Sequence, residues 1–287
     1  MSAVLQVEEL KHRAALARIA IIKAGHNKGP LHFASSLSCV ELLLTAMNLM
    51  AKDDLFFLSK GHASLGRLAV LEALGKLDAS WQEQFATNGS PFAVHTSYLP
   101  ELGIIASTGS LGLGPSLALG HALGARLQNP HHPAKSCVLC GNGECNEGAT
   151  YEAFLYAGAH RISNFCVLLD HNHMQLDGAS AQVLPVHDYA ALFRALGFTV
   201  HEVDGHDLHA LEQCLRAFYQ AEPQAQAEAA PLAIVAHTVR GKGVSFMENA
   251  LQWHTGALDE QHYVQALNEL EQALCEQEQA LSKRCGE

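Results

Sequence analysis

The stretch SCVLCGNGECNEGATYEAFLYAGAHRISNFCVLLDHNH, residues 136–173, decides the fold. An apolar run, SCVLC (136–140), stops at a glycine-flanked turn, Gly141-Asn142-Gly143. A helical pattern follows over about 147–161, and a second apolar run, NFCVLLD (164–170), closes the unit. Continuous apolar runs separated by a helix read as neighbouring parallel strands joined by a crossover, because strands covered on both faces lose the polar alternation of a one-sided sheet. The pattern extends both ways. LFFL (55–58), FTVHEV (198–203) and LAIVAHT (232–238) are further strands, and helical spacing covers 9–24, 40–50, 61–75, 188–196 and 207–220. The expected fold is α/β, a doubly wound, mostly parallel sheet with helices on both faces. Residues 1–287 form one domain with an amino-terminal helical segment. From about residue 260, Tyr263, Leu267, Leu270, Leu274 and Leu281 make one stripe, expected to be an amphipathic helix docked on the body or on a partner. AEPQAQAEAA (221–230) reads as a surface excursion.

Composition narrows the partners. Lys and Arg total 18 against 29 Asp and Glu, a net charge of −11, the opposite of the basic footprint that nucleic acids select. The opening MSAVLQVEEL is neither a basic nor an apolar leader, and no apolar run approaches the roughly twenty residues of a membrane helix, so a soluble cytoplasmic protein is expected. Most of the eight cysteines sit in apolar runs, where a free thiol behaves as a small hydrophobe. Cys137 and Cys140 are spaced as a CxxC pair, but three positions apart on a strand they face opposite ways, and no second pair at zinc-ligand spacing follows.

Ligands of parallel sheets bind beyond the carboxyl ends of the strands. GNGE follows one strand and DHNHMQLDG the next. Glycines 141 and 143 let backbone N–H groups approach a ligand, and the positive end of a helix starting near Asn146 is expected to aim at the same place, which suits an anion. The Asn172 amide oxygen would face Asn142 across a gap that a hard cation with an oxygen shell could fill. Each turn taken alone reads equally as an ordinary asparagine turn.

Taken together, Gly141-Asn142-Gly143 with Asn172 thirty positions on resembles the thiamine diphosphate fingerprint, GDG followed about thirty residues later by Asn. PLHFASSLSCVELL (30–43), LSKGHASLG (58–66), STGSLGLGPSLALGHALGARL (107–127), VDGHDLHAL, AHTVRGKGVSFMEN and WHTG follow in the order and spacing of the transketolase family. The resemblance runs over roughly residues 10 to 270 and is to the amino-terminal, diphosphate-binding subunit of a transketolase split into two polypeptides.

The resemblance implies thiamine diphosphate and magnesium as cofactors, with calcium or manganese as stand-ins, and transfer of a two-carbon ketol unit from a ketose to an aldehyde. It implies Asn142, Asn172 and the Met174 carbonyl as metal ligands. His62, Gly109, Ser110, Leu111, Gly143, Glu144, Asn172 and His254 would surround the cofactor. His32, His95 and His254 would line the substrate channel, where an imidazole both gives and takes protons near neutrality. His26, His121, His131, His132 and His171 read as ordinary structural histidines. The family's activating glutamate belongs to the other half of the enzyme, so Glu144, Glu147 and Glu152 do not take that role. A carboxy-terminal partner subunit carrying it is expected, in an α2β2 heterotetramer acting on sugars or sugar phosphates. Asn142 stands where the family has aspartate, which removes one charge at the metal and leaves two outcomes: weaker magnesium binding, or a cofactor-deficient regulatory subunit. Asn142-Gly143 is also a deamidation-prone pair. Ala34-Ser35 and Thr96 depart from the family's two glycines and proline. The remaining alternatives are a deoxyxylulose phosphate synthase-like enzyme, a 2-oxo acid dehydrogenase component and a nicotinamide dinucleotide-binding protein; the last lacks a GxGxxG between strand and helix.

Overall fold

Every residue of the strand Phe165–His171 is buried except the last, as expected of the central strand of a covered sheet. The computed structural model describes residues 4–221 and 229–285, with side chains as far as residue 279. Most of the AEPQAQAEAA interval and the Leu281 side chain lie outside the described residues.

Five strands, β1 (Leu55–Leu58), β2 (Ser136–Gly141), β3 (Phe165–His171), β4 (Thr199–Asp204) and β5 (Leu232–His237), form one sheet in the order β1-β2-β3-β5-β4. All four pairings are parallel. The helices are α1 (Val7–Gly25), α2 (Phe33–Ser38), α3 (Val40–Leu49), α4 (Ser64–Ala73), α5 (Trp81–Gln84), α6 (Leu113–Gln128), α7 (Gly148–Ala159), α8 (Ser180–Val183), α9 (Tyr189–Ala195), α10 (Leu208–Tyr219) and α11 (Glu260–Cys285).

Strand side chains alternate between two cores. Phe56, Leu58, Cys137, Leu139, Cys166 and Leu168 join the cluster under α1–α4, α10 and α11. Phe57, Val138, Cys140, Phe165, Val167 and Leu169 join the cluster under α6, α7 and α9. Cys137 and Cys140 therefore face opposite layers, as their spacing predicts. Both faces of the sheet are covered, and each fully buried Phe, Leu or Val contributes about 1.5–3 kcal/mol. α11 buries Ala266 and Leu270, with Tyr263, Leu267 and Leu274 packed partly against the same core. The carboxy-terminal stripe thus docks on the body.

Three expectations shift. The helix expected from residue 61 opens as a 3-10 turn, Gly61–Ala63, before α4. The helix expected near Asn146 opens as a 3-10 turn, Glu144–Asn146, and α7 begins at Gly148. β4 is an edge strand, exposed or half-exposed along its length, where a continuous apolar run suggests full cover.

Candidate active site

The carboxyl ends of β1, β2, β3 and β5 release Lys60, the 141–144 turn, Asn172 with residues 174–176, and Arg240 into one cavity of about 260 Å³. Its other walls are His32, Ser35, His62, His95, Gly109, Leu111 and His254. The loop carrying Gly109 and Leu111 lies close because two glycines permit it. A Cβ on Gly61 would stand 2.3 Å from the Thr108 carbonyl oxygen, and one on Gly114 would stand 2.1 Å from Ser59 Oγ.

Glu144 ties three segments together. Its carboxylate accepts the Gly112 N–H at 2.8 Å, the Gly141 N–H at 3.4 Å and a short bond from the Ser59 hydroxyl. Burial raises its pKa, and those donors oppose the rise. Below the turn lies a fully buried ion pair, Lys60 with Asp170. Lys60 also donates to the Ser35 carbonyl at 2.9 Å, and Asp170 accepts from the Ser38 and Thr238 hydroxyls. Burial alone would neutralise both groups, yet Asp170 holds the Lys60 pKa up and Lys60 holds that of Asp170 down, so both stay charged.

Four histidines from separate segments gather on one side. The His32 ring centroid lies 5.2 Å from that of His62, 5.6 Å from His95 and 5.5 Å from His254. Burial, followed by neighbouring charges among which are Lys60 and, for two of them, Arg240, lowers His32 and His254 to about 4 and His62 well below its ordinary value. These three rings are neutral near pH 7. Nδ1 of His32 and Nδ1 of His254 are buried without a hydrogen-bond partner among the described residues, so they are free to engage a ligand.

Asn142, Asn172 and Met174 meet at the far end. Asn142 Oδ1 accepts the Asn172 N–H at 3.2 Å, while Asn142 Nδ2 donates to the Met174 carbonyl at 3.2 Å and to the Ser180 hydroxyl. Asn172 Oδ1 accepts the Met174 N–H at 3.1 Å. A hard divalent cation takes oxygen ligands, so in this arrangement Asn142 presents the wrong atom to a position beside Met174. The three groups fit such an ion once the Asn142 amide turns over, which forfeits the bond from Asn172.

Residues 15–273 match the family described as transketolase, thiamine diphosphate binding domain. The chain belongs to the transketolase family. It is 29% identical over 282 residues to one of the subunits of the apulose-4-phosphate transketolase of Phocaeicola vulgatus, covering 94% of this chain and 96% of that protein. It is 31% identical over 273 residues to the 6-deoxy-6-sulfo-D-fructose transketolase subunit SqwG of Clostridium sp. (strain MSTE9), covering 92% and 96%. The solved transketolase of Campylobacter jejuni superposes with a TM-score of 0.76 at 22% identity, covering 97% of this chain and 49% of that one. The chain thus spans about half the length of the solved transketolases it resembles.

In this transketolase-family chain, His32, His62, His95, Gly109, Leu111, Asn142, Gly143, Glu144, Asn172, Met174 and His254 all line the one cavity. Ser110 does not; it is exposed on the same loop. The first turn of α7 does not line it either, so the backbone groups beside the cavity come from the 141–144 turn and not from the helix end expected near Asn146. Lys60, Arg240 and Gln175 are lining residues that the sequence motifs do not single out. Lys60 sits inside the SKGHAS motif, and that neighbourhood is the signal that points to it.

Proposed function

We propose that this chain is the thiamine diphosphate-binding subunit of a two-component transketolase, moving a two-carbon ketol unit from a ketose or ketose phosphate to an aldehyde. The observation that carries the reading is the meeting of His32, His62, His95 and His254 in the same cavity as the Gly141–Glu144 turn and Asn172. When bound, the cofactor supplies the carbon nucleophile that takes up and releases the two-carbon unit. His62, Gly109, Leu111, Gly143, Glu144, Asn172 and His254 hold it, and Ser110, exposed beside them on the same loop, does so only if that loop closes on the cofactor. His32, His95 and His254 orient the sugar and move protons at its hydroxyls; the neutral His32 and His254 imidazoles, with unpartnered Nδ1 atoms among the described residues, suit both tasks. Asn142, Asn172 and the Met174 carbonyl hold magnesium, or calcium or manganese in its place, weakly because the amide must turn.

A carboxy-terminal partner supplies the activating glutamate in an α2β2 heterotetramer. Relatives of similar length are named as subunits, and α6 and α7 present exposed Leu113, Leu117, Leu155 and Tyr156 on one side of the sheet, apolar surface that suits an interface. No described helix is long and apolar enough to cross a membrane, and the six buried free cysteines suit a reducing, cytoplasmic setting.

Calorimetry with thiamine diphosphate and magnesium, with and without the partner chain, tests the reading. Binding with the partner followed by ketol transfer supports it; binding without turnover favours the second reading, a regulatory role. The Asn142 amide turned toward Met174 is the observation on that side.

A further inference from the structure

Three histidines that play no part in the proposed chemistry meet at the carboxyl edge of the sheet. His171 ends β3, His237 ends β5, and the two are register partners in the parallel pairing. His173 stands two residues beyond β3 with φ 62°, in the left-handed region that a residue with a Cβ seldom occupies unless its surroundings fix it. Its carbonyl accepts the Ser180 N–H at 2.9 Å, which helps hold that turn. The turn folds the His173 ring back, to 4.0 Å from the His171 centroid and 5.4 Å from that of His237. None of the three lines the cavity described above.

We propose that His171, His173 and His237 form a binding site for a late first-row divalent cation, zinc foremost, held by three imidazole nitrogens with a fourth position open to water. One nitrogen from each ring lies within 4.8 Å of the other two. A tetrahedral ion with bonds of about 2.0–2.1 Å sets its nitrogens about 3.3–3.4 Å apart. His237 Nδ1 and His173 Nε2 already stand 3.4 Å apart, so only the third nitrogen has to close in. The tautomer is prepared as well. His237 Nε2 lies 2.8 Å from Glu202 Oε1 and donates its proton there, which leaves the lone pair on Nδ1 facing the other rings. This is the carboxylate–imidazole arrangement that orients metal-binding histidines. His171 Nδ1 is buried and has no hydrogen-bond partner among the described residues. Imidazole ligands select against magnesium, which wants oxygen, so this site and the Asn142–Asn172–Met174 group do not compete for one ion. The inference stands on residues outside the cofactor cavity and holds whether or not the chain binds thiamine diphosphate.

The test is a titration of the untagged full chain with cobalt(II) alone, read by visible absorption, followed by displacement with zinc. One equivalent per chain should give the strong ligand-field bands of a four-coordinate ion without a thiolate charge-transfer band, and zinc should abolish them. His237→Gln and His173→Asn should each weaken binding at least about tenfold, and Glu202→Gln by a factor of about ten, while the exposed His201→Gln control leaves it unchanged. Asparagine keeps the left-handed backbone at 173 accessible, and circular dichroism confirms that each variant is folded. Absence of stoichiometric binding up to millimolar cobalt, equal binding by folded His237→Gln and His173→Asn, or a charge-transfer band that places the ion on the exposed Cys275 would each overturn the proposal.

Discussion

The Asn142 side-chain nitrogen stands 3.2 Å from the Met174 carbonyl oxygen, so an amide N–H already bridges the two groups that a cation would otherwise join. The opposite end of the amide is satisfied by the Asn172 N–H. Turning the amide to offer oxygen leaves that N–H facing another donor, at a cost of about 1–3 kcal/mol. Aspartate at this position would accept from Asn172 with one oxygen and bind the ion with the other. Asn142→Asp should therefore tighten magnesium binding in the presence of thiamine diphosphate by roughly tenfold to a hundredfold. Calorimetric titration of both proteins checks this, and equal affinities would show that the amide orientation does not govern the metal.

The Lys60–Asp170 pair makes the floor of the cavity a stability element as well as a lining. Removing one partner strands a buried charge, so Asp170→Asn should destabilise the fold by about 3–5 kcal/mol. Lys60→Met combined with Asp170→Asn should lose less than the sum of the two single changes, because neither leaves a charge alone. Urea unfolding of the four proteins gives the coupling directly; additive losses would mean that the pair does not act as a unit.

How far these relationships are legible in the sequence depends on their range. Asn142 and Asn172 are linked by a strand–helix–strand unit whose length fixes their spacing, so the turn sequence predicts that they meet. The four histidines are found by motif, since nothing local brings His32 near His254. Lys60 and Asp170 lie 110 residues apart, and His173 and His237 lie 64 apart. A lysine between Ser59 and Gly61 reads as a polar turn residue until the sheet order places β1 and β3 on either side of β2. The exposure of β4 is not a matter of edge position alone, since β1 at the other edge is largely buried; it depends on which elements pack over the strand, which its own composition does not decide. The amide orientation of Asn142 is set by the Asn172 N–H and the Met174 carbonyl, and the Ser180 hydroxyl that also reaches it from α8 is a contact that the local pattern does not contain.

The neutral histidines give stability a pH dependence of definite sign. His32 and His254 carry folded values of about 4 against 6.5 for a free imidazole. The unfolded chain therefore takes up protons that the folded one refuses as pH falls from about 6.5 toward about 4, and stability falls over that window. Above about 6.5 both states are deprotonated at these rings and the contribution is flat. Denaturation midpoints should be level between pH 7 and 8 and drop progressively toward pH 5. A His32→Asn, His254→Gln variant should show a shallower drop; an identical slope would mean that these rings titrate normally in the folded protein.

Arg240 brings into the cavity a guanidinium with one hydrogen-bond position open among the described residues. It is 2% exposed, its Nη1 donates to the Gln175 carbonyl at 3.0 Å, and its Nη2 is buried with no hydrogen-bond partner among the described residues. A buried guanidinium nitrogen left open beside a cavity is costly to the empty protein, and an anion arriving there recovers a hydrogen bond to a charged group, about 1.5–3 kcal/mol. Arg240→Met should weaken binding of inorganic pyrophosphate and of thiamine diphosphate by roughly tenfold to a hundredfold. Arg240→Lys should recover part of the loss, since an ammonium keeps the charge without the planar fork. Thermal shift with pyrophosphate separates this from a folding defect: the folded variant should lose the ligand-induced rise in Tm that the wild type shows. An undiminished rise in Arg240→Met would assign the guanidinium to packing and leave the diphosphate to the backbone of the 141–144 turn.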